Sequence, residues 1–234
     1  MSRLKSPGSI FNMRKIYLLA AIFFMIGVTK ANAQLRYGIN AGLNHSTWKG
    51  DAAGSFENLA DFTDGYITTN AKNGFYAGGF VEMPLGGIIT LQPGVYYSQK
   101  GYALKGSIAG NKFDFLGVNA KAEMQSHYID VPLLIKAEIA KGLQVYAGPQ
   151  LSYLIKNNLK MDAGLLGLSL LNTSMDVTNN FNRADFAITG GASYTFDNGF
   201  SVNAGYDHGL SRLDKNSNFK SYNRTFKVGV GFRF

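Results

Sequence analysis

The feature that most constrains this chain is a strict alternation of apolar and polar residues that runs to its last position. The closing stretch RTFKVGVGFRF places Phe226, Val228, Val230, Phe232 and Phe234 on one parity, and Thr225, Lys227, Gly229, Gly231 and Arg233 on the other. A period of two is that of a β-strand with one apolar and one polar face. Eight segments carry it, at 34–44, 74–83, 88–100, 125–139, 143–155, 183–196, 199–209 and 223–234, with boundaries good to a few residues. Their connections follow a rhythm. PLGG (84–87), AKG (140–142) and DNG (197–199) have the glycine and Asn-Gly chemistry of tight hairpins. Between them lie long polar connections at 45–73, 101–124, 156–182 and 210–222.

Strands of about ten residues, even in number, with short turns at one end and long loops at the other, fit a sheet that crosses a membrane. Lipid offers no hydrogen bonds, so such a sheet must close on itself and leave no edge. The expected fold is all-β: an eight-stranded antiparallel up-and-down transmembrane β-barrel, with both termini on the short-turn side. The apolar parity, with Tyr37, Ile39, Leu43, Val95, Ile129, Ile135, Leu151, Phe186, Ile188, Val202 and Tyr206, then faces lipid. The other parity faces the lumen. It carries five basic side chains, Arg36, Lys136, Arg183, Lys227 and Arg233, and five acidic ones, Glu82, Asp130, Glu138, Asp185 and Asp207. A soluble β-sandwich also alternates, but with its apolar faces packed on each other; the loop rhythm and the aromatic terminus favour the barrel. Pro93, Pro132 and Pro149 fall inside strands and are expected at bulges, which would reverse the facing beyond them.

The other end of the chain agrees with export. Arg14 and Lys15 precede an apolar run of 13 residues, Ile16–Val28, and then Ala31-Asn32-Ala33. A basic n-region, a short apolar core and a small-x-small site compose a secretory signal, and the run is shorter than the ~20 residues of a spanning helix. Residues 1–33 are therefore expected to be a signal peptide cleaved after Ala33, leaving Gln34 first and residues 34–234 as the barrel. An uncleaved anchor is the alternative, and Met13 is a second candidate start. Removing residues 1–33 changes the charge balance from 23 basic and 15 acidic residues to 18 and 15, so no basic run remains to suggest nucleic acid. The chain has no cysteine, which excludes disulfides and thiol chemistry.

The stretches LQPGVYYSQKG, YIDVPLLIKAEI, YAGPQLSYLI, DFAITGGASYTFDNGFSVNAGYDHGLSRL and VGVGFRF, in this order and spacing, resemble the PorT-like, porin-family outer-membrane β-barrel proteins of Gram-negative bacteria. The resemblance implies a location in the outer membrane and contact with its lipid. It also implies that Phe232 and Phe234 form the terminal aromatic signal read by the barrel-assembly machinery. The likeness to PorT itself points to a secretion-accessory role.

Three functions remain in view. A conducting porin is one, but an eight-stranded lumen is just wide enough to be filled by side chains, and ten ionisable groups of balanced sign suit a paired plug. A lipid-modifying enzyme is the second. His208, Ser211 and Asp214 form the only cluster worth testing, although a His and a Ser three apart on a strand point to opposite faces. His45, His127 and His208 show no metal-ligand spacing; no cofactor is expected, and no catalytic site. The third, and preferred, is a surface interaction module with a protein partner at the outer connections. Loop 45–73 carries Trp48, Phe56, Phe62 and Tyr66, loop 101–124 carries KFDFLG, and loop 156–182 carries MDAGLLGLSLLNTSM. The competing view is that these connections merely extend the strands above the bilayer.

Overall fold

The computed structural model describes residues 35–50, 67–108, 118–165, 168–215 and 220–234. The expected export segment, with Ala31, Ala33 and Gln34, lies outside them, as do Phe56, Phe62 and the KFDFLG stretch; Tyr66 does too. Nine strands are described: β1 (Arg36–Gly50), β2 (Ile67–Gly86), β3 (Ile89–Ile108), β4 (Val118–Ala140), β5 (Leu143–Leu165), β6 (Leu168–Asp176), β7 (Ala184–Thr195), β8 (Phe200–Gly209) and β9 (Ser221–Arg233). Eight of them close a ring of antiparallel pairs. β1 to β5 pair in succession, β5 pairs with β7, β7 with β8, β8 with β9, and β9 returns to β1, where Leu43 stands opposite Val228. The eight alternating segments are these eight strands. β6 is additional: it folds back along the outer half of β5, with Asn158 opposite Asp176, and stays out of the ring.

The three short connections turn on glycines in the left-handed region, Gly86 and Gly87 (φ 113° and 58°), Gly142 (φ 77°) and Gly199 (φ 85°). Only glycine adopts that backbone without steric cost, which is why the turns are tight and why the strand register is fixed at this end.

The facing follows the alternation. Ile39, Leu43, Val95, Ile135, Ile188 and Val230 are exposed, whereas Asn44, Gln92, Asp130, Gln150 and Asp207 are buried. This inverts a soluble protein, and the uncovered apolar band is the surface that lipid covers. Contrary to the expectation from sequence, Pro93, Pro132 and Pro149 do not sit at bulges and do not reverse the facing. Pro93 opposite Leu133 and Tyr96 opposite Asp130 share one register, Pro132 opposite Gln150 shares one with Ile135 opposite Ala147, and Pro149 lies in register opposite Ile188. The ladder skips rungs beside these prolines, as between Phe80–Gly94 and Met83–Leu91, so the missing donors are absorbed without a slip. The register shifts lie elsewhere, between Ala71 and Tyr76 and at His127/Tyr128 among other places.

The strands outrun the membrane. β4 and β5 have 23 residues each, about twice the 9–11 that cross a bilayer. Beyond Ser46 opposite Lys72, β1 and β2 part company. β1 continues along β9 to Gly50 opposite Ser221, and β2 along β3 to Ile67 opposite Gly106. The outer ends of β2, β3, β4 and β5, together with β6, thus form a five-stranded sheet standing above the apolar band. Much of the connection 156–182 is therefore strand, followed by a 3-10 turn at Thr178–Asn180. The alternation of hydrophobicity ends where lipid ends, so these outer halves read as loops.

Candidate functional site

The lumen is filled in layers. At the turn end, Glu82 accepts from Lys136 at 3.0 Å and from Arg233 at 3.3 Å. Above them the Tyr76 hydroxyl donates to Asn203 Oδ1 (2.8 Å), and Asn203 Nδ2 to Asn40 Oδ1 (3.2 Å). Inward glycines make room for the rings: a Cβ on Gly229 would strike the Tyr76 hydroxyl, and one on Gly191 or Gly205 the Tyr146 hydroxyl. A cavity of about 70 Å³ remains here, touched by Tyr76, Tyr96, Tyr146, Lys136 and Lys227. Higher still, Lys227 pairs with Asp207 at 2.8 Å, and Gln150 Nε2 donates to the same carboxylate at 3.2 Å. Lys100 pairs with Asp130 at 2.9 Å and lies over the Tyr128 ring. Asn223 donates to Asp185 at 2.7 Å.

Seven of the ten expected lumen charges are thus inside: Glu82, Asp130, Lys136, Asp185, Asp207, Lys227 and Arg233. Three are not. Arg36 and Glu138 are exposed at the turn end, on the last rungs where the wall meets water; Glu138 accepts there from the Gly142 N–H at 3.2 Å. Arg183 lies where β5 leaves β7 for β6. It donates to the carbonyls of Leu154 (3.3 Å) and Ile155 (3.1 Å), just beyond the last β5–β7 rung at Tyr153 and Ala184. Lys100, 2 % exposed, is the lumen charge that sequence reasoning missed. It shares the parity of Gln92 and Tyr96, and that signal was present. With Lys100 counted, four cations (Lys100, Lys136, Lys227, Arg233) face four carboxylates (Glu82, Asp130, Asp185, Asp207).

An aromatic cluster caps the outer end of the described lumen. Trp48, placed by sequence in an outer loop, is instead a buried residue of β1. It stacks on Tyr102 with centroids 5.7 Å apart and planes 9° apart, and meets Phe181 at 5.7 Å. Leu213, Met124 and Phe181 complete the cluster.

The His208, Ser211 and Asp214 cluster does not assemble. Ser211 Oγ accepts from the Phe186 N–H at 3.0 Å, while His208 is exposed against the Tyr206 ring. Among the described residues no His, Cys, Asp and Glu group could hold a metal ion. On the outer sheet, Glu123 sits between Lys72 (2.7 Å) and Lys121 (2.5 Å). Burial alone would push its pKa up, but hydrogen bonds and charge from the two lysines outweigh it and hold the carboxyl below its ordinary 4.5. Burial, then the charges of Lys156 and Lys160, lowers His127 below 6.5.

Residues 30–215 match the family model described as "Outer membrane protein beta-barrel domain". The chain belongs to this family. An outer-membrane β-barrel domain accounts for the exposed apolar band and the closed ring, and it places the protein in the outer membrane of the cell. No curated protein matches the sequence. Among solved structures, the chain is similar to the attachment invasion locus protein Ail of Yersinia pestis (15% identity, 86% of this chain and 99% of that one, TM-score 0.44). It is also similar to Neisserial surface protein A (13% identity, 85% and 97%, TM-score 0.47) and to OprG of Pseudomonas aeruginosa (11% identity, 86% and 97%, TM-score 0.38). At these identities the likeness extends to the fold alone.

Proposed function

We propose that this barrel is a non-conducting surface-interaction protein that works through the sheet it raises above the membrane. The observation that carries this reading is the edge of β6. That strand pairs with β5 alone, and no strand among the described residues covers its other side. A free edge above the bilayer is a template for an extended segment of a partner, which would add as a further strand and draw its affinity from main-chain hydrogen bonds. The filled lumen supports the same reading, because it leaves the outer surface as the working part. A secretion-accessory role of the kind PorT suggests would use the same edge to hold an extended client. Phe232 and Phe234, at the turn-side rim, are proposed as the signal for the barrel-assembly machinery; Phe234 is 70 % exposed and its N–H donates to Tyr37 O.

The test is to pan displayed extended peptides against the barrel in nanodiscs. Proline removes a strand donor, so the expected result is binders whose capture is lost in Thr173→Pro or Ser174→Pro while the barrel stays folded. Binders indifferent to both substitutions, or none at all, would contradict the proposal.

A further inference from the structure

The wall just above the apolar band on β3, β4 and β5 has a composition that the outer sheet does not require. Tyr97, Ile129 and Tyr153 stand opposite one another and form the last apolar row. The next outward row is Gln99, His127 and Lys156. The register shift at His127/Tyr128 places Ile155 and Lys156 both outside, between the buried Leu154 and Asn157. A bulge thus seats an ammonium directly beside an apolar side chain on the same surface. The Tyr97 hydroxyl and His127 Nδ1 are 2.5 Å apart, and Gln99 Nε2 donates to the same hydroxyl at 3.2 Å. With the hydroxyl donating to a neutral imidazole, the ring proton resides on Nε2 and is available to an acceptor.

No ion pair engages Lys156 or Lys160 among the described residues, although acids are near. Glu123 is held by Lys72 and Lys121, and Asp176 accepts from the N–H and hydroxyl of Thr178. The pattern recurs across the ring. Tyr206 stands opposite Phe226, and in the next outward row His208 stands opposite Arg224, whose Nη1 donates to the carbonyls of Gly209 and Asn223. His45, opposite Phe226, completes the set. All three histidines of the chain therefore lie on the outer wall at the edge of the band, and none lies in the lumen.

We propose that the Gln99, His127 and Lys156 row is a seat for the phosphate of a lipid headgroup in the outer leaflet. The acyl chains would lie against Tyr153 and Ile155, and the phosphate would accept from the Lys156 ammonium and His127 Nε2. The occupant is a lipid rather than free phosphate because the cation stands on the rim of a surface that acyl chains already cover. A basic residue at a membrane surface favours an anionic headgroup by a free energy that corresponds to about fivefold in association.

The test is spin-label resonance on the barrel in phosphatidylcholine nanodiscs, comparing labelled phosphatidic acid with labelled phosphatidylcholine. The wild type is expected to favour phosphatidic acid. Lys156→Gln is expected to lower that preference about fivefold, Lys156→Arg to keep it, and Lys141→Gln, on the exposed turn-side pair with Asp197, to leave it unchanged. Heat-modifiable migration confirms folding of each variant. Equal association of the two lipids with the wild type, or a preference untouched by Lys156→Gln combined with His127→Gln, overturns the proposal. So does a His127 ring resonance in detergent that inorganic phosphate shifts as strongly as phosphatidic acid does.

Discussion

Lys100 and Asp130 lie 2.9 Å apart with both side chains 2 % exposed, so neither charge has water to fall back on. In such a pair the desolvation cost and the mutual attraction nearly cancel, while removal of one partner leaves the other uncompensated. Lys100→Met is therefore expected to destabilise the barrel by about 3–5 kcal/mol, and Lys100→Met with Asp130→Leu to recover most of that loss. Denaturant unfolding of the three proteins in lipid vesicles checks both. Parity made most of the lumen charges legible, because a strand admits only two facings. It could not say where a strand meets water, and so Arg36 and Glu138 were counted among the lumen charges. Nor could it show that Arg183 would turn to the carbonyls of Leu154 and Ile155 at the β5–β7 junction.

At the scale of elements, the aromatic cap is assembled from residues distant in sequence: Trp48 on β1, Tyr102 on β3, and Phe181 and Leu213 beyond β6 and β8. Trp48 is the only tryptophan of the chain, so its emission reports this cap directly. A buried, stacked indole is expected to emit at short wavelength and to resist quenching by acrylamide. Tyr102→Ala is expected to shift the emission to the red and admit the quencher; a wild-type spectrum typical of water-exposed tryptophan would contradict the cap. This arrangement was not readable from sequence, since a tryptophan beyond the last apolar rung looks like a loop residue. The outer halves of β2 to β5 were hidden for the same reason. Above the lipid both faces of a strand can be polar, and the hydrophobic period that marks a strand disappears while the hydrogen-bonded ladder goes on.

The whole molecule follows from one solvent condition. A sheet in lipid must close, and closing it with eight strands leaves an interior that side chains fill. This is why the ring, its order and its facing could be read from alternation and turn chemistry. The number of strands outside the ring could not be read, because β6 answers to no such constraint. On the proposed reading the lumen is shut by its paired charges and aromatic cap, and the protein acts at its outer surface. Single-channel recording of the refolded barrel in planar bilayers tests it most directly. The expected record has no stable conductance steps; steady openings on the order of a nanosiemens, which take an aqueous bore of the kind found in wider barrels, would contradict the claim.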